Sequence, residues 1–311
     1  MKYINKILFV LTVFISMGIC SCSDGTEVLT PSDPPVNLFE PDPADNSREA
    51  QIKRDFYKKT GIYILFDDYL GKYTDSNGVE HEEWVDFQWK GLTSGSSTIQ
   101  WMFDKVSEED MEKVIPYLEQ YFIPYINVKG SQFRPYSVLL VKDLLAPDKW
   151  GDLNVADYIS SMRCFAINVS DWIEADEEEA FYLGRNLIRT LASEKLNSFS
   201  PELQPFFEIC QEHYDNGRVY RSFPEWLDNQ DIELIYQAGF TRYYPDSYGD
   251  LEYDSFPYES TDLRLFLDHV FFEDEKDFKQ QWEDYPLIIQ KYNLMKECVE
   301  GLGIDFNAVK L

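Results

Sequence analysis

The sequence predicts an α+β protein in which an N-terminal mixed β-sheet with helices precedes a mostly helical C-terminal part. Buried-strand patterns end before residue 172, as at residues 136–145 (YSVLLVKDLL) and 164–169 (CFAINV). After residue 172 the apolar residues recur with helical spacing. Strands grouped first and helices grouped afterwards are typical of an α+β layout.

Local signals define the individual elements. Asp75 and Gly78 bound a turn of the kind that joins two strands of a hairpin. Ser107, with Asp110 three positions later, resembles a capping box at the start of a helix. The N-terminal elements are a helix at 47–59, strands at 61–67, 70–73 and 83–89, a helix from 107 to 122, and strands at 136–145 and 164–169. The C-terminal helices are expected at 176–197, 201–214, 232–238, 262–272, 275–282 and 285–301.

The N-terminus has the composition of a secretory signal. Lys2 and Lys6 precede an apolar run at residues 7–19. This run is shorter than the roughly 20 residues that a membrane-spanning helix needs, and it has the length of a signal-peptide apolar region.

Cys22 is the predicted lipidation site of a bacterial lipoprotein. A lipoprotein signal peptidase requires an aliphatic residue three positions before the cysteine and small residues between them, and Ile19, Cys20 and Ser21 meet that requirement. Cys20 is the alternative site, but it would place the bulky Ile19 directly before the cleavage point. An ordinary secretory signal without lipid is the other alternative, although no Ala-x-Ala type of cleavage site follows.

The domain organisation follows from this cleavage site. Residues 1–21 are the signal peptide, and residues 22–46 are an acidic tether rich in proline that stays extended because it has little to bury. The folded part divides into a strand-rich N-terminal subdomain at 47–172 and a helical C-terminal subdomain at 173–311. Two tightly joined subdomains or one large domain both suit this length.

Charge and cysteine content limit the function classes. The formal net charge of −28 excludes a nucleic-acid partner and adhesion to anionic lipid headgroups, so any membrane attachment is through the lipid anchor. Beyond Cys20 and Cys22 the chain has Cys164, Cys210 and Cys298, which are far apart and odd in number. We therefore expect buried free thiols rather than a disulfide framework.

Several short motifs occur in an order that resembles a known family. They are GIYILF at 61–66, Arg189-Thr-Leu191, QAGFT at 237–241, Asp262 at the start of a helix, IIQKYNLMK at 288–296 and GIDFNAV at 303–309. With the lipoprotein signal and the acidic tether, they resemble the substrate-import-associated zinc metallohydrolase lipoproteins of Bacteroidota. The resemblance covers nearly the whole mature chain and implies a zincin (gluzincin-like) fold. Asp24 and Glu27 also resemble part of the surface-export signal of such lipoproteins.

The resemblance locates a degenerate zinc motif. In the family, two histidines in His-Glu-x-x-His bind zinc from one helix face, and the glutamate between them acts as general base. Ser193 and Asn197 stand at the two histidine positions, and Glu194 keeps the position of the base. Hydroxyl and amide groups are not normal zinc ligands, so no bound metal is expected.

The third ligand position is also altered. The resemblance assigns it to Thr261, which has Glu259 and Asp262 as neighbouring carboxylates. The chain has only three histidines, His81, His213 and His269, and no two of them are within helical reach of each other.

The sequence supports three functional hypotheses. The first is a catalytically inactive accessory lipoprotein of the outer membrane, facing the cell exterior, that serves a nutrient importer and its substrate-binding lipoprotein and binds a peptide or glycan. The second is an active zinc-dependent hydrolase with an atypical site around Glu194, Glu259 and Asp262. The third is an interaction protein without a small-molecule ligand.

One acidic and aromatic loop is a further candidate site. Four carboxylates, Asp246, Asp250, Glu252 and Asp254, could bind calcium, but their spacing departs from the known calcium-loop template, and a solvated acidic loop is the simpler interpretation. Six nearby aromatic residues suggest an interaction surface; they are Tyr243, Tyr244, Tyr248, Tyr253, Phe256 and Tyr258.

Overall fold

A six-stranded mixed sheet is the centre of the N-terminal part of the fold. The computed structural model describes residues 37–85, 101–128, 131–147, 152–161, 163–197, 199–214, 232–242 and 256–308, and the backbone of two short strands at 93–94 and 97–98. Within this part, the predicted α+β layout with an N-terminal sheet and a helical C-terminal part is confirmed.

The N-terminal elements include both helices and strands, with the strands in two successive groups. They are α1 Arg48–Thr60, β1 Tyr63–Leu65, β2 Tyr69–Thr74, β3 Glu80–Trp84, β4 Thr93–Ser94, β5 Ser97–Thr98, β6 Met102–Lys105, α2 Glu108–Tyr121, α3 Ile123–Ile126, β7 Ser137–Pro147, β8 Leu153–Val155, β9 Tyr158–Ser160 and β10 Cys164–Asn168.

The later elements are helical. They are α4 Ser170–Glu174, α5 Glu177–Lys195, a 3₁₀ turn Pro201–Leu203, α6 Gln204–Glu208, α7 Gln211–Tyr214, α8 Ile232–Gln237, α9 Glu259–Phe272, α10 Glu275–Gln281 and α11 Pro286–Gly301. The predicted single helix at 201–214 is therefore three short segments.

Strand β7 organises the sheet because both of its edges are paired. Its first residues pair in parallel with β1 and β10, and its last residues pair antiparallel with β6 and β8, while β9 extends the sheet beyond β10. Central parallel strands are buried on both faces, which explains the continuous apolar runs at 138–141 and 164–167. Asp143 lies in the middle of β7 with a positive φ of 50°, in the region where the partner strands change.

The two faces of the sheet have different coverings. Side chains such as Ile64, Leu140 and Ile167 point into a large core that continues into the C-terminal helices. Alternate residues such as Leu65 and Leu139 point into a second, smaller core. Because the larger core includes residues from both predicted subdomains, the strand-rich and helical parts share one interior.

The second core includes a residue that the sequence analysis assigned to the tether. Phe39 is 7% exposed and packs edge-on against the Tyr136 ring, with 4.9 Å between ring centroids. The neighbouring Glu40 accepts a hydrogen bond of 2.7 Å from the Tyr63 hydroxyl. The prediction that the tether at residues 22–46 has little to bury is wrong at Phe39, because its aromatic ring packs into the core on this face of the sheet.

The tip of the predicted hairpin forms a compact unit of its own at Lys72–His81. Asp75 accepts backbone hydrogen bonds of 2.9 Å from Asn77 and from Val79, and Gly78 takes the positive φ that the turn requires. Together with the His81 side chain, these bonds lower the pKa of Asp75 to about 2. The described residues within Leu38–Gly71 and Glu82–Leu311 belong to the second unit, which contains the ends of α5 and α9, the buried Asp262 and the groove described below.

Some predictions concern residues outside the described ranges. These are the signal peptide, the lipidation site Cys22 with its alternative Cys20, most of the tether, the four loop carboxylates from Asp246 to Asp254, and the tyrosines 243, 244, 248 and 253. Among the helices of the described ranges, none combines the length and apolar character of a membrane-crossing segment.

Candidate functional site

The C-terminal end of helix α5 carries the residues that the resemblance aligns with a zinc motif. The helix ends at Lys195, and Leu196 after it is extended, with ψ at 112°. Ser193 is in the last turn, but Asn197 is past the end of the helix. The Asn197 side chain accepts a 3.0 Å hydrogen bond from the Phe199 backbone N–H, and its backbone N–H donates to Ser200 Oγ at 3.0 Å. The two positions therefore do not share one helical face.

Helix α9 packs against α5. Arg189 of α5 binds Asp268 of α9 with two contacts of 2.8 and 2.6 Å, and Arg185 donates to the backbone carbonyl of Phe271 at 2.7 Å. Ser193 is one turn beyond Arg189, and Thr261 is two turns before Asp268. Helical periodicity thus puts Ser193 and Thr261 on the facing sides of the two helices.

Glu194, the expected position of the general base, is exposed. Its carboxylate is close enough to the Tyr158 hydroxyl that burial and this negative charge both raise the pKa of Tyr158. Glu194 therefore lies beside the edge strand β9 rather than beside a described histidine or cysteine.

Asp262 belongs to a different site in the interior, where it is fully buried with Lys291. The Lys291 ammonium group donates to Asp262 Oδ2, and the Tyr214 hydroxyl donates to the same oxygen. The other oxygen, Oδ1, has no partner within the described residues. Burial raises the pKa of Asp262, opposed mainly by the charge of Lys291.

Aromatic rings and a thiol complete the surroundings of Lys291. Its Nζ is 4.5 to 4.7 Å from the ring centroids of Phe206, Phe240 and Phe266. Cation–π contacts of this kind are strongest where water is excluded. Cys210 Sγ is 3.5 Å from Nζ, and burial raises the pKa of that thiol to about 11. Asp262 therefore has an internal cation as its partner.

The residues at the expected ligand positions do not fit the zinc ion that the resemblance implies. Ser193, Asn197 and Thr261 are not zinc ligands, and Asp262 binds Lys291. Throughout the described ranges, no group of three His, Cys, Asp or Glu residues is arranged to hold a metal ion.

The three histidines have other contacts. His213 is half-buried against the rings of Phe240 and Phe256, and burial lowers its pKa. His269 contacts Glu273 at 2.7 Å and Thr241 at 3.0 Å, and His81 contacts Asp75 at 3.0 Å.

The predicted free cysteines are confirmed. Cys164 and Cys210 are buried, whereas Cys298 is only half-buried.

A groove beside the N-terminal half of α5 is a site that no pattern in the sequence predicted. We call it the α4–α5 groove. Its wider part has a volume of about 710 Å³ and an apolar floor of Ala175, Leu183 and Phe272, with Tyr182 on its rim. A second cavity of about 320 Å³ shares Ser170, Asp171, Leu183 and Asn186 with it and is also lined by Trp172 and Leu187.

The lining of the α4–α5 groove is acidic. Five carboxylates line the two cavities, and none of their described lining residues is Lys, Arg or His; the carboxylates are Asp143, Asp157, Asp171, Glu174 and Glu179. Among the described residues, none of the five forms an ion pair. Glu179 is already held by the Asp176 backbone N–H in the capping box of α5. The other four leave a surface that attracts cations.

Comparison with known proteins gave no match to any protein-family model, any curated protein or any solved structure.

Proposed function

We propose that this protein is a non-catalytic lipoprotein, anchored in the outer membrane through Cys22 and exposed at the cell exterior, that serves as a binding component beside a nutrient importer. It is a metallopeptidase-like protein of the zincin class whose zinc site has been lost. The importer and its substrate-binding lipoprotein are the partners that the family resemblance implies, with a peptide or glycan nutrient as the ligand class.

The observation that carries the proposal is the end of α5 at Lys195. A zinc motif of the His-Glu-x-x-His type needs its first and fifth residues one turn apart on a continuous helix. Here the fifth position, Asn197, is in a turn that its own side chain stabilises. Both the ligands and the backbone that would present them are therefore altered, which supports binding rather than hydrolysis.

Zinc content distinguishes this proposal from the active-hydrolase alternative around Glu194, Glu259 and Asp262. We expect the purified protein to retain no stoichiometric zinc after dialysis, as measured by elemental analysis. We also expect the double variant Ser193→His with Asn197→His to retain none, because residue 197 is outside the helix. One zinc per wild-type chain would refute the non-catalytic proposal, and zinc in the variant alone would refute the argument from the helix end.

Membrane attachment tests the anchor separately. We expect Cys22→Ser to move the protein from the membrane fraction to the soluble fraction, because lipid on this residue is the proposed attachment. Cys20→Ser is the matched control, two residues away in the same segment, and it should leave the protein in the membrane. The opposite result for the two variants would move the anchor to Cys20.

Co-purification of importer subunits with the tagged wild-type protein supports the accessory role, and their absence counts against it.

A further inference from the structure

We propose that the α4–α5 groove binds an extended, positively charged peptide segment, with lysine or arginine side chains among apolar residues. This inference rests on the proposed binding function and names the class of ligand. The groove lies wholly within one unit of the structure, and its nearest lining residue on α5, Leu187, is about two helical turns before Ser193.

The shape and surface of the groove fit an extended segment. The wide and narrow cavities adjoin, since both are lined by Ser170, Asp171, Leu183 and Asn186, and together they are larger than the space that one side chain fills. Leu183 lines both cavities, and Tyr182 is 44% exposed although it is a large aromatic residue. Apolar floors of this kind bind aliphatic side chains and the methylene stems of lysine and arginine.

Charge complementarity selects a cationic occupant. Asp171 and Glu174 lie on the rim of the wide cavity, while Asp143 and Asp157 line the narrow one. A concave acidic surface with low-dielectric walls concentrates the electric field and raises the local concentration of cations. The carboxylates would receive the charged head groups while the stems lie on the floor, and the exposed Tyr182 ring offers a cation–π contact.

The nearest arginine on the same helix does not neutralise the groove. The Arg185 guanidinium group donates to the Phe271 carbonyl at 2.7 Å and to the Tyr125 hydroxyl at 3.1 Å, and it lies over the Phe181 ring. Arg185 is therefore held by other partners. The buried Asp262 has Lys291 as its cation, whereas the described lining residues of the groove include no cation.

Isothermal titration of the detergent-purified full-length lipoprotein tests this proposal. The probe is the peptide acetyl-Lys-Leu-Lys-Leu-Lys-amide, and the acidic counterpart has glutamate in place of each lysine. We expect the basic peptide to bind, with an affinity that falls when sodium chloride is raised from about 30 mM to about 300 mM, because surface ion pairs are screened. We expect no detectable binding of the acidic peptide.

Matched variants separate the groove from the overall negative charge of the protein. Asp171→Asn with Glu174→Gln is expected to weaken binding about fivefold or more, since it removes two carboxylates from the groove. Glu283→Gln with Glu297→Gln removes the same charge from exposed positions elsewhere and should change binding less than about twofold. Tyr182→Ala should weaken binding without any change in charge. Unchanged thermal unfolding confirms that each variant is folded.

Three results would overturn the proposal: no binding of the basic peptide, equal binding of the acidic peptide, or equal weakening by the two charge-matched double variants. None of these results bears on zinc content or on attachment through Cys22. Failure of the ligand assignment is therefore distinguishable from failure of the proposed function.

Discussion

Replacement of Lys291 by alanine is expected to lower the free energy of unfolding by about 3–5 kcal/mol, the range observed when one partner of a buried ion pair is removed. Lys291 and Asp262 are both fully buried, and the ammonium group is the charge partner of that carboxylate. Without the ammonium group, the Tyr214 hydroxyl is the one hydrogen-bond donor to Asp262 among the described residues. Oδ1 of Asp262 already has no partner among those residues. Chemical denaturation followed by circular dichroism measures the loss.

A double variant distinguishes the ion pair from simple packing. Lys291→Met preserves most of the side-chain volume but leaves the carboxylate without a cation, so it should destabilise the protein nearly as much as Lys291→Ala. Adding Asp262→Asn removes the unpaired charge and should restore most of the lost stability, because buried ion pairs contribute little compared with uncharged residues of similar shape. A loss below about 1 kcal/mol for Lys291→Ala would contradict the buried pair. Equal stability of the single Met and the double variant would contradict the charge argument.

This ion pair also explains why Asp262 is a poor candidate for chemistry. A metal ligand or general base needs a carboxylate that can reach a substrate or ion. Asp262 is fully buried, and its partner Lys291 is surrounded by the rings of Phe206, Phe240 and Phe266. The residue beside the expected third zinc-ligand position thus has a structural role. The nearby Thr261 is on the side of α9 that faces α5, but its hydroxyl group is not a normal zinc ligand.

The sequence predicts the fold best where a single element carries its own signal. The buried runs of β7 and β10 and the capped start of α2 at Ser107 all lie within a few residues of their predicted positions. Strand β6 was missed because its residues are mostly exposed and have no alternating apolar pattern. The helix predicted at 201–214 is three segments, and Pro205, which has no backbone N–H to donate, lies at the break between the first two.

The candidate sites depend on contacts between distant residues, which a single sequence does not reveal. Lys291 looks like an ordinary charged residue on an amphipathic helix, and its partner Asp262 is 29 residues away. Tyr214, which also donates to Asp262, is 48 residues before it in the chain. The α4–α5 groove likewise combines side chains from β7, β10, α4 and α5, so no local pattern predicts it.

Gly184→Ala is expected to destabilise the protein by about 3 kcal/mol, the upper part of the range for overpacked cores. A Cβ atom at Gly184 would lie 2.2 Å from the backbone oxygen of Tyr121 and 2.9 Å from its carbonyl carbon, so α2 and α5 would have to move apart. Helix propensity alone predicts the opposite sign, since alanine in a helix is favoured over glycine by about 1 kcal/mol. The sign of the measured change therefore reports the close approach of the two helices.

Gly301→Ala is the matched control for that experiment, since a Cβ atom there meets nothing within 4 Å. We expect this variant to be as stable as the wild type or slightly more stable in the same denaturation measurement. Because Leu183 and Asn186 line the α4–α5 groove on either side of Gly184, displacement of α5 should also weaken binding of the basic peptide. Equal stability of the Gly184 and Gly301 variants would contradict the contact with Tyr121, and with it the position of the helix that forms the groove floor.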